Sequence, residues 1–214
     1  MKEKEILAIY GGTFSPPHYG HKRAAETLSA ALHPDRLLII PTFLPPHKVV
    51  STALAPEHRL EMSRLCFMDL PNAEISDMEI KRAGKSYTFD TISALSKEDR
   101  EIYFLCGTDM LLSFDSWYRY RDIFSLCTLV LERRESDRAL DTAVEEKIAL
   151  FRRECGARIL EIPIDPITLS STDVRNAVKA GADREALTEM VPPAVADYIL
   201  AHGLYRESGN GAKA

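Results

Sequence analysis

The chain has 214 residues, 45% of them hydrophobic and 28% charged, which is the balance of a globular protein long enough to bury one large α/β core. Its net charge of −5 gives no sign of general nucleic-acid binding, so any cationic site for phosphates has to be local. No apolar run is long enough to span a membrane, and the charged start runs straight into a strand pattern rather than a signal peptide.

That first pattern, Glu5 to Tyr10, is an apolar run of strand length that stops at Gly11-Gly12. Thr13-Phe14-Ser15-Pro16-Pro17-His18-Tyr19-Gly20-His21 follows, and a helix is expected from about Gly20, because Ala24, Ala25, Leu28, Ala31 and Leu32 recur at three- and four-residue spacing. Paired glycines after a buried strand let backbone N–H groups approach a ligand closely. The helix start offers unsatisfied N–H groups and the positive end of its dipole to the same place, which suits a phosphate. His18 and His21 share a helix face there and can donate to phosphoryl oxygens as charge grows on them. Two plainer readings compete: a strand-to-helix turn, or a zinc pair, although no third ligand sits nearby at suitable spacing.

Arg36 to Ile40 reads as a second buried strand, ending in the proline-rich loop Pro41-Thr42-Phe43-Leu44-Pro45-Pro46-His47-Lys48. Lys48 on that rigid loop can meet a phosphate as a point charge, and the loop lies at the C-terminal end of a strand, where open α/β sheets place ligand groups. A helix is expected over 56–68 with Leu60, Arg64 and Phe67 on one face, and residues 73–81 alternate as a strand would. Lys85 to Asp90 opens a helix running to about Leu95, and Glu101 to Cys106 is a strand stopped by Gly107. Short helices are expected over 110–114 and 117–124, and a fifth strand over 128–132.

Residues 137–155 read as a solvated helix with Leu140, Val144, Ile148 and Phe151 inward, and 158–162 as the last strand. Ser170-Ser171-Thr172-Asp173 leads into a helix through Lys179, and Arg175 in its first turn can add a guanidinium fork to a helix N-terminus facing an anion. Taken alone, the hydroxyls would more simply be helix caps. A last helix starts at Pro192-Pro193 and stops at Gly203, and residues 207–214 read as a disordered tail. Strands alternating with helices predict a doubly wound, mostly parallel sheet with a small helical C-terminal lobe, in a single domain over 1–206. The cysteines at 66, 106, 127 and 155 show no paired spacing, and reduced thiols in a cytoplasmic protein are expected.

Gly12-Thr13-Phe14 with His18-x-Gly20-His21 resembles the phosphate-binding motif of the nucleotidylyltransferases, usually G-T-F-D-P-x-H-x-G-H, with Ser15 where aspartate is common. Leu169-Ser170-Ser171-Thr172-x-Val174-Arg175 resembles the I-S-S-T-x-[IV]-R motif that grips the triphosphate in the same family. Ser86-Tyr87-Thr88-x-Asp90-Thr91, Gly107-Thr108-Asp109-Met110-Leu111 and Phe114-x-x-Trp117-x-x-Tyr120-x-x-Ile123 are similar to the bacterial nicotinate-mononucleotide adenylyltransferases. Glu79-x-x-Arg82 is also a habit of that group, although a surface ion pair would look the same.

The resemblance implies a Rossmann-like fold and transfer of the adenylyl group of ATP to nicotinate mononucleotide, giving deamido-NAD and pyrophosphate. It assigns ATP to Gly11, Gly12, Thr13, Phe14, His18, Gly20, His21, Ser171, Thr172 and Arg175. The acceptor falls to Thr13, Lys48, Tyr87, Thr88, Gly107, Asp109 and Trp117, with Trp117 stacking on the pyridine ring, Asp109 meeting a ribose hydroxyl and the Tyr87-Thr88 turn taking the carboxylate. His18, His21, Lys48 and Arg175 are the implied catalytic groups. Mg²⁺ is implied as a companion of ATP with few protein ligands, and the partners implied are the two small-molecule substrates, with neither nucleic acid nor membrane.

Overall fold

The computed structural model describes residues 4–45, 54–134, 140–164 and 167–206. Six strands, β1 (Glu5–Gly12), β2 (Arg36–Pro41), β3 (Ala73–Ile75), β4 (Arg100–Gly107), β5 (Thr128–Arg134) and β6 (Arg158–Ile164), form one sheet in the order β3-β2-β1-β4-β5-β6. Every pairing is parallel, so the expected mostly parallel sheet is parallel throughout. Parallel strands need crossovers that cover both faces, which is why these strands are apolar on both sides.

The alternation along β1 shows how the layers divide. Ala8 faces one core together with Leu37, Ile39, Leu105 and Val130, and this face is covered by α1 (Tyr19–Leu32), α2 (Pro56–Phe67), α8 (Ser171–Lys179), α9 (Arg184–Thr188) and α10 (Pro193–Ala201). Leu7 and Ile9 face the other core with Ile102, Phe104, Cys106 and Leu129. That face receives α4 (Thr88–Leu95), α5 (Thr108–Leu112), α6 (Tyr120–Leu126) and α7 (Asp141–Cys155). Strand order reverses direction between β1 and β4, and a ligand crevice is expected outside the C-terminal ends of those two strands.

Several expectations need correction. The strand expected over 73–81 is only Ala73–Ile75, and α3 (Met78–Arg82) follows it. Apolar residues at 75, 78 and 80 fit a strand and a short helix equally well. In α2 the inward face carries Arg59, Leu60, Met62, Cys66 and Phe67, while Arg64 points outward to Glu61 at 2.9 Å. Leu140 is exposed at the start of α7 rather than inward, whereas Val144, Ile148 and Phe151 are buried. The segments 135–139 and 207–214, with the expected helix start and tail, lie outside the described residues. All four cysteines are unpaired. Among the described residues no helix is long and apolar enough to cross a membrane.

Candidate active site

The turn after β1 is shaped by the ring of Phe14. Its φ is 48°, and the ring is buried against Tyr10, His21 and Phe67 with centroids 5.3, 5.1 and 5.8 Å away. A Cβ on Gly12 would come within 2.8 Å of that ring. Gly12 is therefore required by the chain's own packing, a reason the sequence did not disclose. Phe14 itself can reach a ligand only through its backbone.

His18 and His21 cap α1 together. Nδ1 of His18 accepts from the Gly20 N–H at 3.1 Å, and Nδ1 of His21 accepts from the His18 N–H at 3.2 Å. Both Nδ1 atoms act as acceptors, so the proton of each neutral ring sits on Nε2. The rings lie 3.8 Å apart by centroid, and His18 is buried. Gly20 is required here too, because a Cβ there would lie 2.9 Å from Cε1 of His18. Tyr19 N–H donates to Met190 O at 3.0 Å, tying the start of α1 to the C-terminal helices.

The start of α8 docks on the same turn. Ser170 is the cap, accepting from Asp173 N–H while Asp173 Oδ2 accepts from the Ser170 N–H at 2.8 Å and from its hydroxyl at 2.7 Å. These Ser170 bonds hold the Asp173 carboxyl below the usual range. The Ser171 hydroxyl donates to Pro16 O at 2.8 Å, so its proton is committed to the turn. Arg175 donates through Nη1 to Ser15 O at 2.7 Å and through Nη2 to Thr172 Oγ1 at 2.8 Å. Ser15, where the resemblance has aspartate, lies 3.2 Å by its Oγ from the Tyr205 hydroxyl, whose pKa burial pushes up to about 12. Two helix N-termini, both histidines and Arg175 thus meet around residues 13–20.

Beyond the glycines lies a cleft of about 430 Å³ whose wall includes Gly11, Gly12, Thr13, Tyr87, Thr88, Asp109 and Trp117. Gly107 ends β4 and caps α5 with backbone alone. Tyr87 precedes α4 without a side-chain cap bond, so the first-turn N–H groups of α4 have no side chain of Tyr87 across them. Trp117 stacks on Phe114 at 4.6 Å and 22°, so one indole face is backed by the core. Tyr118 also lines the cleft, 4.8 Å from Tyr87 by ring centroid. Tyr120 packs instead toward Phe124 and Phe151.

Three residues on or behind this wall were not anticipated as site groups. Thr42 and Glu79 line the cleft, and Thr42 Oγ1 and Glu79 Oε2 have no hydrogen-bond partner. The other Glu79 oxygen accepts from Thr91 Oγ1 at 2.5 Å, and burial raises the Glu79 carboxyl despite Thr91, Ser86 and Arg82. Arg59 lies 1% exposed behind the cleft. Lys48, expected on the loop after β2, lies outside the described residues. Among the described residues no group of three or more His, Cys, Asp or Glu side chains is placed to hold a metal.

The cytidylyltransferase-like family model matches residues 9–177. A protein of Caldicellulosiruptor saccharolyticus named probable nicotinate-nucleotide adenylyltransferase is 34% identical over 94% of this chain and 99% of its own. One of the same name from Trichlorobacter lovleyi is 35% identical over 94% and 99%. Among solved structures, the nicotinic acid mononucleotide adenylyltransferase of Plasmodium falciparum complexed with NaAD superposes with a TM-score of 0.77, at 18% identity over 94% of this chain and 97% of that one.

Proposed function

Since the chain belongs to the cytidylyltransferase-like family and, within it, to the nicotinate-nucleotide adenylyltransferases, we propose that the turn at 11–21 and the cleft beside it divide the two substrates between them. The enzyme transfers the adenylyl group of ATP to nicotinate mononucleotide, a step of NAD biosynthesis. An oxygen of the mononucleotide phosphate attacks the α-phosphorus of ATP; the bond to the β-phosphate oxygen breaks, and its electron pair leaves with pyrophosphate. The phosphate monoester has a second pKa of about 6, so it is already ionised at neutral pH and needs no general base. What remains is positioning and charge stabilisation along an in-line displacement.

In this reading the Nε2–H groups of His18 and His21 donate to the α-phosphate as its charge redistributes. Arg175 and the N-terminus of α8, with Ser171 and Thr172, hold the triphosphate, and Gly11, Gly12, Thr13, Phe14 and Gly20 supply backbone around it. Lys48 contributes a further cation to the phosphates. Trp117 stacks on the pyridine ring, Asp109 accepts from a ribose hydroxyl beside Gly107, and the first-turn N–H groups at Tyr87-Thr88 receive the carboxylate. Mg²⁺ bound with ATP would supply charge neutralisation to the triphosphate. The residues present fit an ion carried mainly by phosphate oxygens, because both histidines turn Nδ1 to backbone N–H groups and carry a proton on Nε2. Four unpaired thiols accord with a cytoplasmic location.

The observation that carries this assignment is the meeting of two helix N-termini with His18, His21 and Arg175 around the turn after β1, next to an aromatic cleft that the same turn lines through Gly11, Gly12 and Thr13. Pyrophosphate release from ATP is the test, with nicotinate mononucleotide, nicotinamide mononucleotide and phosphopantetheine as alternative acceptors. Release with nicotinate mononucleotide well above the other two is expected. Equal or greater release with phosphopantetheine would overturn the division.

A further inference from the structure

Arg59 is one of the largest fully buried side chains of the protein, and among the described residues it pairs with no carboxylate. An interior cation is costly unless its surroundings are polar and aimed at it. Here they are four backbone carbonyls. Nη1 donates to Thr13 O at 3.0 Å and to Thr42 O at 2.6 Å, Nη2 to Phe43 O at 3.1 Å and Nε to Leu54 O at 3.2 Å. Thr13 belongs to the turn after β1, Thr42 and Phe43 to the loop after β2, and Leu54 to the approach to α2. Beyond the ends of β1 and β2 these carbonyls have left the sheet ladder, and one planar fork satisfies all of them.

The same loop continues into the acceptor wall. Phe43 N–H donates to Ser86 Oγ at 2.9 Å, and Ser86 N–H donates to Leu44 O at 2.9 Å. A chain of short bonds therefore runs from Thr13 through Arg59 and Phe43 to Ser86, next to Tyr87 and Thr88. Thr13 and Thr42, both held by Nη1, line the cleft from just beyond the ends of the neighbouring strands β1 and β2.

We propose that Arg59 is a positioning residue for adenylyl transfer: its guanidinium sets the spacing between the turn that receives ATP and the loop that walls the acceptor cleft. This rests on the division of substrates given above. Arg59 does not touch substrate; it keeps the attacking phosphate and the α-phosphorus within reaction distance by fixing the two backbones that carry them.

The test compares wild type with Arg59→Lys, which keeps the charge but not the fork, and Arg59→Met, which keeps only bulk. Each is assayed by pyrophosphate release, by melting temperature, and by binding of ATP alone and of the dinucleotide deamido-NAD. A displaced reacting pair lowers kcat by about 10- to 100-fold in both variants, with KM for ATP changed by less than about threefold. Deamido-NAD spans both walls and ATP only one, so dinucleotide affinity is expected to fall about tenfold while ATP affinity holds. A purely structural arginine would lower the melting temperature without that split. Folded variants with wild-type kcat and dinucleotide affinity overturn the proposal. A wild type inactive with these substrates overturns the proposed function as well. Should neither variant fold, Ser86→Ala cuts the other end of the strap and must show the same split; wild-type behaviour there also overturns the proposal.

Discussion

The His18 N–H donates to Nδ1 of His21 at 3.2 Å while His18 Nδ1 accepts from the Gly20 N–H, so the pair we propose for the phosphates also holds its own helix start together. Structure and chemistry can be separated at His18. Asparagine is among the best helix caps, whereas alanine loses about 1 kcal/mol of cap stability. His18→Asn is therefore expected to keep near wild-type stability but lose about 10²- to 10³-fold in kcat, as for removal of one transition-state donor. His18→Ala should lose both. Thermal unfolding and pyrophosphate release, measured side by side, check this; an active His18→Asn would remove the histidine from the chemistry.

Arg175 bonds Ser15 O and Thr172 Oγ1 through its two terminal nitrogens, so the fork we propose for ATP is held in one orientation by the protein itself. Lysine keeps the charge and loses the plane. Arg175→Lys should raise KM for ATP about tenfold, the effect of one charge-assisted hydrogen bond, and leave KM for the mononucleotide unchanged. A rise in the mononucleotide KM instead would reverse the two sides of the cleft.

Gly12 and Phe14 form a steric pair. With an added Cβ 2.8 Å from the ring, Gly12→Ala should destabilise the protein by about 1–3 kcal/mol, the usual effect of overpacking. Combined with Phe14→Leu, the loss should be smaller than the sum of the two single losses, because neighbours couple. Urea titration of the four proteins measures the coupling, and strict additivity would show that the ring has somewhere else to go.

What the sequence disclosed follows from these contacts. The buried strands of a parallel sheet are continuous apolar runs that stop at glycine or proline, so β1, β2 and β4 were readable to within two residues. The placement of the histidines and Arg175 at helix starts was readable because the spacing that sets it is local. Arg59 was not: an arginine inside a helix pattern reads as a solvated face, and only the carbonyls of Thr13 and Thr42, brought in by the sheet, bury it. Gly12 was noticed for a ligand, but the nearer reason, the ring two residues on, depends on a positive φ at Phe14 that no periodicity reveals. The helix at Met78–Arg82 was hidden by a run too short to distinguish the two periods.

Glu79 gives a pH signature. Burial is the leading cause that raises its carboxyl above the ordinary 4.5, so the folded protein binds this proton more tightly than the unfolded chain. The Glu79 contribution to stability is complete below the ordinary value and is lost as pH rises through the raised one. Glu79→Gln cannot ionise and keeps an oxygen for Thr91. The difference in urea midpoint, variant minus wild type, should grow in favour of the variant as pH is raised from 4 through that window. A difference that does not vary with pH would mean that the carboxyl titrates normally.

The choice of base at the acceptor follows from which groups meet which part of it. Trp117, backed by Phe114, offers a flat surface to a pyridine ring, and nicotinate and nicotinamide present the same ring. The indole should therefore confer affinity without choice. In the proposed division discrimination belongs to the start of α4, where Tyr87 makes no side-chain cap and the first-turn N–H groups and positive dipole end would favour a carboxylate. An amide would turn its NH₂ toward those donors and leave polar groups unpaired, at about 1–3 kcal/mol for each bond not made, which corresponds to a preference for the acid of about 10- to 100-fold. Trp117→Ala is thus expected to lower kcat/KM for both mononucleotides alike and to leave their ratio unchanged. A wild-type preference for nicotinamide mononucleotide would contradict the assignment of the carboxylate, and a variant that loses its preference would place selectivity in the indole instead.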